Sequence, residues 1–574
     1  MRNSAVHCFS ILCCMSLGIL SITLKPKPAF GAEQVYIIYG PLKLSLTVDS
    51  LRTFAETGKV DNELKFYARF AGDQAMARLR RMLQIRSELP VTTVSQLTYA
   101  PMSEDFLQRI GRYVQTESGI NGFHAIRAAW ILSASKSNSY TLIDVMRNYP
   151  ARGIRIDVAN IQKLQNVLLM LINYKNAAIG AIASQAKVET AAESKINFSL
   201  LPDPRKSGKF QVARRTLELQ RSMPTLKGNR FTRKFKVNLY IPESSPQPAP
   251  VVVISHGMGS TPSGFAYLGE HLATHGFAVA IPEHIGSGKA IKEALFAGLI
   301  NTNVYPTDFV ERPKDIHQTL DELEWLSHSD PNLKGRLNLQ NVGMIGHSFG
   351  GYTALAVAGA RLNMRRVDHD CAVDRTRNNL STYLQCLSQQ LPAIDRRLGD
   401  PRIRAVISIN PLTSIVFGPE GMSEIEIPTM LMSATNDILT APVPEQIHPF
   451  LWLKTPEKYL ALMVNAGHTA ADQGDGSNPN LPQTSRDILF AGPNPNLTRE
   501  YIQALSLAFM QIYIGNRLEY QRYLRASYVN SITQEPIQLQ LVRSLTPTQL
   551  KQAYGNSPPL EFFPAPVEVF APKK

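Results

Sequence analysis

The chain has 574 residues, 44% hydrophobic and 18% charged, with a formal net charge of +14. That length is too great for one ordinary core and predicts two to three domains, while the composition excludes a disordered chain. The basic excess is scattered, in nothing longer than pairs such as Arg365-Arg366, Arg396-Arg397 and Lys573-Lys574. This pattern carries no nucleic-acid module; it suits a solvated surface and transient contact with an anionic membrane surface.

In chain order, residues 1–32 read as a secretory signal peptide. Met1-Arg2 opens a basic start, Cys8 to Leu24 is almost wholly apolar, and Ala29-Phe-Gly-Ala32 offers small residues for cleavage. An uncleaved membrane anchor is the alternative. Three of the five cysteines (Cys8, Cys13 and Cys14) lie in this leader, so the exported chain keeps Cys371 and Cys386. An even pair in an oxidising compartment, periplasmic or extracellular, predicts a disulfide; two buried free thiols are the other option.

Residues 33–200 predict a mainly helical domain. After a short strand-like start at Tyr36 to Leu46, apolar residues recur at helical spacing: Val48-Leu51-Phe54-Ala55, Leu64-Tyr67-Ala68-Phe70-Ala71, Phe106-Ile110-Val114, Ile126-Ala129-Ile131 and Val158-Ile161-Leu164-Val167-Leu168. Asp49 or Ser50, and Ser103, are the expected helix starts. A polar linker is placed near Glu189 to Gly208.

Residues 207–515 predict an α/β domain. Phe210–Leu219 and Phe231–Ile241 alternate as an opening antiparallel pair. Buried parallel strands are expected at Val251–Ser255, Phe277–Pro282, Val342–Gly346, Ile403–Ile409, Thr429–Ser433 and Leu460–Val464, with crossover helices such as Asp315 to Trp325 between them. The charged insertion 361–400 carries both remaining cysteines and reads as a lid or rim. A C-terminal extension, 516–574, is basic and Gln-rich, and its Pro558-Pro-Leu-Glu-Phe-Phe-Pro end is expected along the surface.

The chemistry concentrates at Gly346-His-Ser348-Phe-Gly350, a Gly-x-Ser-x-Gly elbow between a buried strand and a small-residue helix. Small residues are needed on either side because the serine sits in a sharp, strained turn, which marks Ser348 as a nucleophile. In the order serine, acid, histidine, Asp437 follows the Thr429–Ser433 strand and His468 follows Leu460–Val464, so both loops open at the carboxyl edge of the sheet. His468 is then the general base and Asp437 its orienting acid. Backbone N–H groups of Phe349 and of Met258, in His256-Gly-Met-Gly259, are the expected oxyanion donors. The His256 ring is given no chemistry.

The segments His256-Gly-Met-Gly, Leu272-Ala-Thr-His-Gly-Phe-Ala-Val-Ala-Ile-Pro-Glu-His284 and Gly346-His-Ser-Phe-Gly-Gly351 resemble the platelet-activating-factor acetylhydrolase group and the bacterial proteins called predicted dienelactone hydrolases, over roughly residues 207 to 515. The resemblance implies an α/β-hydrolase fold and ester substrates. Two departures stand out. True dienelactone hydrolases use cysteine where this chain has Ser348, and the acetylhydrolase group places its acid after the sixth strand, where this chain has Asn410. The acid reading therefore rests on Asp437, one strand later. The N-terminal region resembles a helical domain of unknown function found ahead of α/β-hydrolase domains in photosynthetic bacteria, either a passive packing domain or a cap over the site.

The resulting expectation is an exported serine esterase acting on a small-molecule or lipid ester, with no metal or organic cofactor, since a triad generates its own nucleophile. A peptidase or amidase on the same triad, and a non-catalytic binding protein on a hydrolase scaffold, are the alternatives.

Overall fold

The computed structural model describes residues 31–224, 230–302, 304–372, 378–391, 397–474 and 490–559. The leader and the terminal Pro-rich segment lie outside the described residues, apart from 31–32 and Pro558-Pro559. Two compact units are present, Met1–Gln165 and Asn166–Lys574.

The strands of the smaller unit are β1 (Gln34–Tyr39), β2 (Leu42–Thr47), β3 (Arg86–Ser87), β4 (Val114–Thr116), β5 (Tyr140–Thr141) and β6 (Gly153–Asp157). Four of them form a sheet in the order β2-β1-β6-β4, and β3 pairs with β5. The unit is mainly helical, as expected, with a small mixed sheet built on its strand-like start. The first predicted helix is Val48–Thr57, and Thr47 caps it by accepting from the Ser50 amide. The cap lies before the expected Asp49 or Ser50 because the Thr47 hydroxyl is the oxygen that reaches an orphan N–H of the first turn. The Ser103 start moves likewise, to Ala100 with Pro101 just inside the helix Pro101–Ile110. Val35, Leu46, Val48, Leu51 and Phe54 build one core cluster, closed by Leu64, Met76 and Leu83 of the helix Asn62–Gln84.

The predicted linker at Glu189 to Gly208 begins too early. The helix Val158–Ala192 is continuous, since no Gly-Pro pair or cap interrupts it, and the division between units falls within it. From Asn166 onward it belongs to the larger unit. Tyr174 Oη lies 3.0 Å from His448 Nε2, Lys175 Nζ donates to the Thr435 carbonyl, and Gln185 donates to Ser544 Oγ.

The larger unit carries β7 (Val212–Pro224), β8 (Arg230–Pro242), β9 (Ala249–Ser255), β10 (Ala278–Pro282), β11 (Leu337–His347), β12 (Ile403–Ile409), β13 (Thr429–Ala434), β14 (Lys458–Val464) and β15 (Gln538–Val542). They form one nine-stranded sheet in the order β15-β14-β13-β12-β11-β9-β10-β8-β7. The six strands β9 to β14 run parallel, with antiparallel β7-β8 at one edge and β15 at the other. Nearly continuous apolar runs, such as the wholly buried β10 and β13, fit strands covered on both faces. Helices Ala266–Thr274 and Pro495–Tyr513 pack into one apolar cluster, and Asp308–Ser329 with Phe349–Val357 into the other.

The extension after 515 is thus part of the sheet. Gln538-Leu-Gln-Leu-Val alternates, with Leu539 and Leu541 buried, and this period-two pattern is what pairs it to β14.

Candidate active site

β11 ends in the elbow. Ser348 adopts φ 57° and ψ −120°, a conformation that L-residues avoid, and its amide donates 2.9 Å to the Ile409 carbonyl. The flanking glycines are forced by space. A Cβ on Gly346 would lie 2.0 Å from the Gly350 carbonyl oxygen, and one on Gly350 would lie 2.0 Å from that of Ser255.

Loops after β13 and β14 bring Asp437 and His468 to the same place. His468 Nε2 stands 2.9 Å from Ser348 Oγ, and His468 Nδ1 stands 2.6 Å from Asp437 Oδ2. All three side chains are buried. Asp437 Oδ1 accepts from the Leu439 and Thr440 amides at 2.8 Å each, and Thr440 Oγ1 lies 2.8 Å from Oδ2. Every oxygen of the carboxylate is therefore held, which fixes the face it offers to the imidazole.

Asn410 stands at the end of β12 with φ 46°. Its Oδ1 accepts from the Ala434 amide and its Nδ2 donates to the His468 carbonyl at 3.2 Å. His347 Nε2 donates to the same carbonyl at 2.9 Å. Two side chains thus clamp the histidine loop by its backbone. Neither role follows from a motif; only the neighbourhood of His347 to Ser348 hinted at one.

Met258 and Phe349, the expected donors, lie in the loop after β9 and at the first helical residue after Ser348. Among the described residues neither amide hydrogen-bonds to another protein group. What shapes the loop is a buried polar network that the apolar periodicity conceals. The Arg312 guanidinium donates to the His256 carbonyl, to Ser287 Oγ at 2.8 Å and to Thr353 Oγ1 at 3.2 Å, and its carbon lies 4.7 Å from the centre of the Phe349 ring. One side chain therefore ties the loop to the elbow helix. His256 Nε2 accepts from the His284 amide, so its Nδ1 carries the proton and donates to Gly257 O at 2.8 Å. The ring is a turn-maker. His284 in turn bridges Ser255 Oγ and Asp315, which Arg221 and Arg233 neutralise.

Burial, with the His468 ring beside it, lowers the His347 imidazole to about 4 against the ordinary 6.5. Burial holds His271, in the helix Ala266–Thr274, at about 3. Both stay neutral when folded, while their unfolded rings take up protons below 6.5. Their stabilising contribution is present above that value and is lost as pH falls toward about 4. Asp308 works the other way, since burial lifts its carboxyl to about 6 and the folded form gains a proton first. The histidines should prevail in urea unfolding, with a lower midpoint at about pH 4.5 than at 7 and on the order of 2 kcal/mol lost for His271 alone. His271→Asn should flatten the profile; an unchanged slope in that variant would remove His271 from the account.

Comparison with known proteins agrees with this architecture. Residues 31–157 match the family described as an alpha/beta hydrolase of unknown function (DUF1400), and residues 246–370 match the serine aminopeptidase S33 family. The fold is that of the α/β-hydrolases. Two curated relatives of this chain are the platelet-activating factor acetylhydrolase of Cavia porcellus, 31% identical over 134 residues, and the cutinase est1 of Thermobifida alba, 22% identical over 276 residues. The matches cover 18% and 48% of this chain, and the chain spans 31% and 63% of those relatives.

Proposed function

We propose that this protein is an exported serine carboxylic-ester hydrolase. The observation that carries the reading is the unbroken chain from Ser348 Oγ through both nitrogens of His468 to Asp437, at 2.9 and 2.6 Å. Ser348 attacks the ester carbonyl while His468 Nε2 takes its proton. Asp437 keeps the imidazole proton on Nδ1 and stabilises the cation that forms. The tetrahedral oxyanion is received by the amides of Met258 and of Phe349, the latter at the start of a helix whose dipole adds to the same field. His468 then protonates the leaving alcohol, and water hydrolyses the acyl-enzyme by the same path.

Ester substrates are supported by the kinship to an acetylhydrolase and a cutinase. Short-acyl phospholipid or other lipid esters are the substrate class put forward. Export is supported by the apolar start and by the disulfide between Cys371 and Cys386. The S33 match favours a second reading, cleavage of aminoacyl amides by the same residues. A panel of p-nitrophenyl esters beside aminoacyl anilides separates the two. Turnover of esters alone supports the esterase, turnover of anilides alone the peptidase, and inertness toward both rules out either chemistry.

The insertion 361–400 is best read as a fixed rim. Its described part is anchored rather than loose: Glu445, fully buried, accepts from Ser381 Oγ at 2.6 Å, Gln385 Nε2 at 3.0 Å and the Ser414 amide at 3.0 Å. The disulfide closes a separation of 15 residues, worth about 3 kcal/mol by loop entropy. Replacing both cysteines with serine should therefore lower stability by up to about that amount. It should also alter preference between acetyl and longer acyl esters more than it alters acetyl turnover. An unchanged chain-length profile would separate the rim from substrate selection.

A further inference from the structure

The helix Asn62–Gln84 buries Leu64, Met76 and Leu83 against the small unit's core, yet carries two phenylalanines on its outer side. Phe70 is 79% exposed and Phe66, one turn earlier, 49%. Their rings touch, with centroids 5.2 Å apart, so they form one aromatic surface rather than two strays. The periodicity that groups Phe70 with Leu64, Tyr67 and Ala68 would have buried it. Gly72 instead breaks the helix with φ 74° and ψ 163° two residues after Phe70. The first segment lies along β2, with Glu63 accepting from the Thr47 amide and Tyr67 Oη donating to the Ser45 carbonyl. It runs toward the hairpin turn, where Tyr39 and Leu42 are also more than half exposed.

Charge settles what such a surface fits. Lys65 and Arg69 flank the two rings and are exposed, and Arg78, Arg80 and Arg81 follow beyond the Gly72 break; the acids among them are Glu63, which accepts from Thr47, and the exposed Asp73, so the helix keeps a net positive charge. Exposed aromatic rings bordered by cations on a helix lying flat against its domain match the interface of an anionic bilayer. Rings there enter the headgroup–acyl boundary, and lysine and arginine meet lipid phosphates.

We propose that the outer face of the helix Asn62–Gln84, through Phe66, Phe70, Lys65 and Arg69, docks the protein on an anionic lipid bilayer. This surface stands apart from the ester-hydrolase reading and holds or fails independently of it. The test is sedimentation of the full chain with vesicles of phosphatidylcholine alone and of phosphatidylcholine with phosphatidylglycerol. The protein should partition to the mixed vesicles, less to the neutral ones, and less again as salt is raised. Phe66→Ser with Phe70→Ser should cut partitioning roughly tenfold or more, with an unchanged thermal midpoint. Lys65→Glu with Arg69→Glu should lower binding to the mixed vesicles and spare the neutral ones. Should the serine variant fold poorly, Phe70→Trp keeps the surface, and its emission, after subtraction of the wild-type signal from the three native tryptophans, should shift to the blue on vesicles. Absence of wild-type partitioning, equal partitioning by the serine variant, or a tryptophan whose emission ignores vesicles would each overturn the proposal. So would a wild-type dimer that the serine variant converts to monomer, since the face would then join copies of the chain.

Discussion

Ser348→Ala is expected to abolish ester turnover by about 10⁴-fold or more while leaving the thermal midpoint nearly unchanged. The elbow geometry rests on Gly346, Gly350 and the Ser348 amide, none of which needs the hydroxyl. The His468 ring loses only its contact with Oγ and keeps its bond to Asp437. Fluorophosphonate labelling should disappear in step with activity. A variant that retained more than about a hundredth of wild-type turnover would show that the reaction does not pass through this oxygen, since triad nucleophiles contribute far more than that.

Asp437→Asn should be nearly as damaging, about 10⁴-fold in kcat, for a reason of tautomers rather than charge alone. The introduced amide would retain the oxygen that receives the Leu439 and Thr440 N–H groups and turn its NH₂ toward His468 Nδ1. That ring nitrogen would have to accept, so Nε2 would carry the proton and could no longer take one from Ser348. Asn410→Ala should act differently, lowering stability through the lost bonds to Ala434 and His468 and sparing much of kcat. Adding Asn410→Asp to Asp437→Asn should not restore turnover, because the side chain faces the His468 carbonyl rather than its ring. The measurements are kcat and kcat/KM for the set; a harmless Asp437→Asn, or a restored double variant, would move the acid to β12.

Local signals made the larger unit legible. Uncharged apolar runs marked the parallel strands, and β9 to β14 lie within a few residues of their expected places. Motif and order single out Ser348, Asp437 and His468 as candidates, and their side chains meet in space because parallel strands deliver their loops to one edge. Arg312 stayed hidden because a reader of helical periodicity follows Phe309, Ile316 and Leu320, which are buried, and takes the charges between them as solvent-facing. β15 was missed because glutamine-rich composition masked its alternation. In the small unit, two-residue strands such as β3 and β5 carry too few side chains to show any period.

The clamp on the His468 carbonyl separates the shape of this loop from the ring it carries. His347 and Asn410 hold the backbone whatever side chain projects from it. Trimming that side chain would leave a socket between Asp437 and Ser348, already lined with the right partners and open to a free imidazole. The proposed base is in this sense a removable part in a fixed mount. Chemical complementation of His468→Ala by added imidazole would read out how well the mount keeps its form when empty.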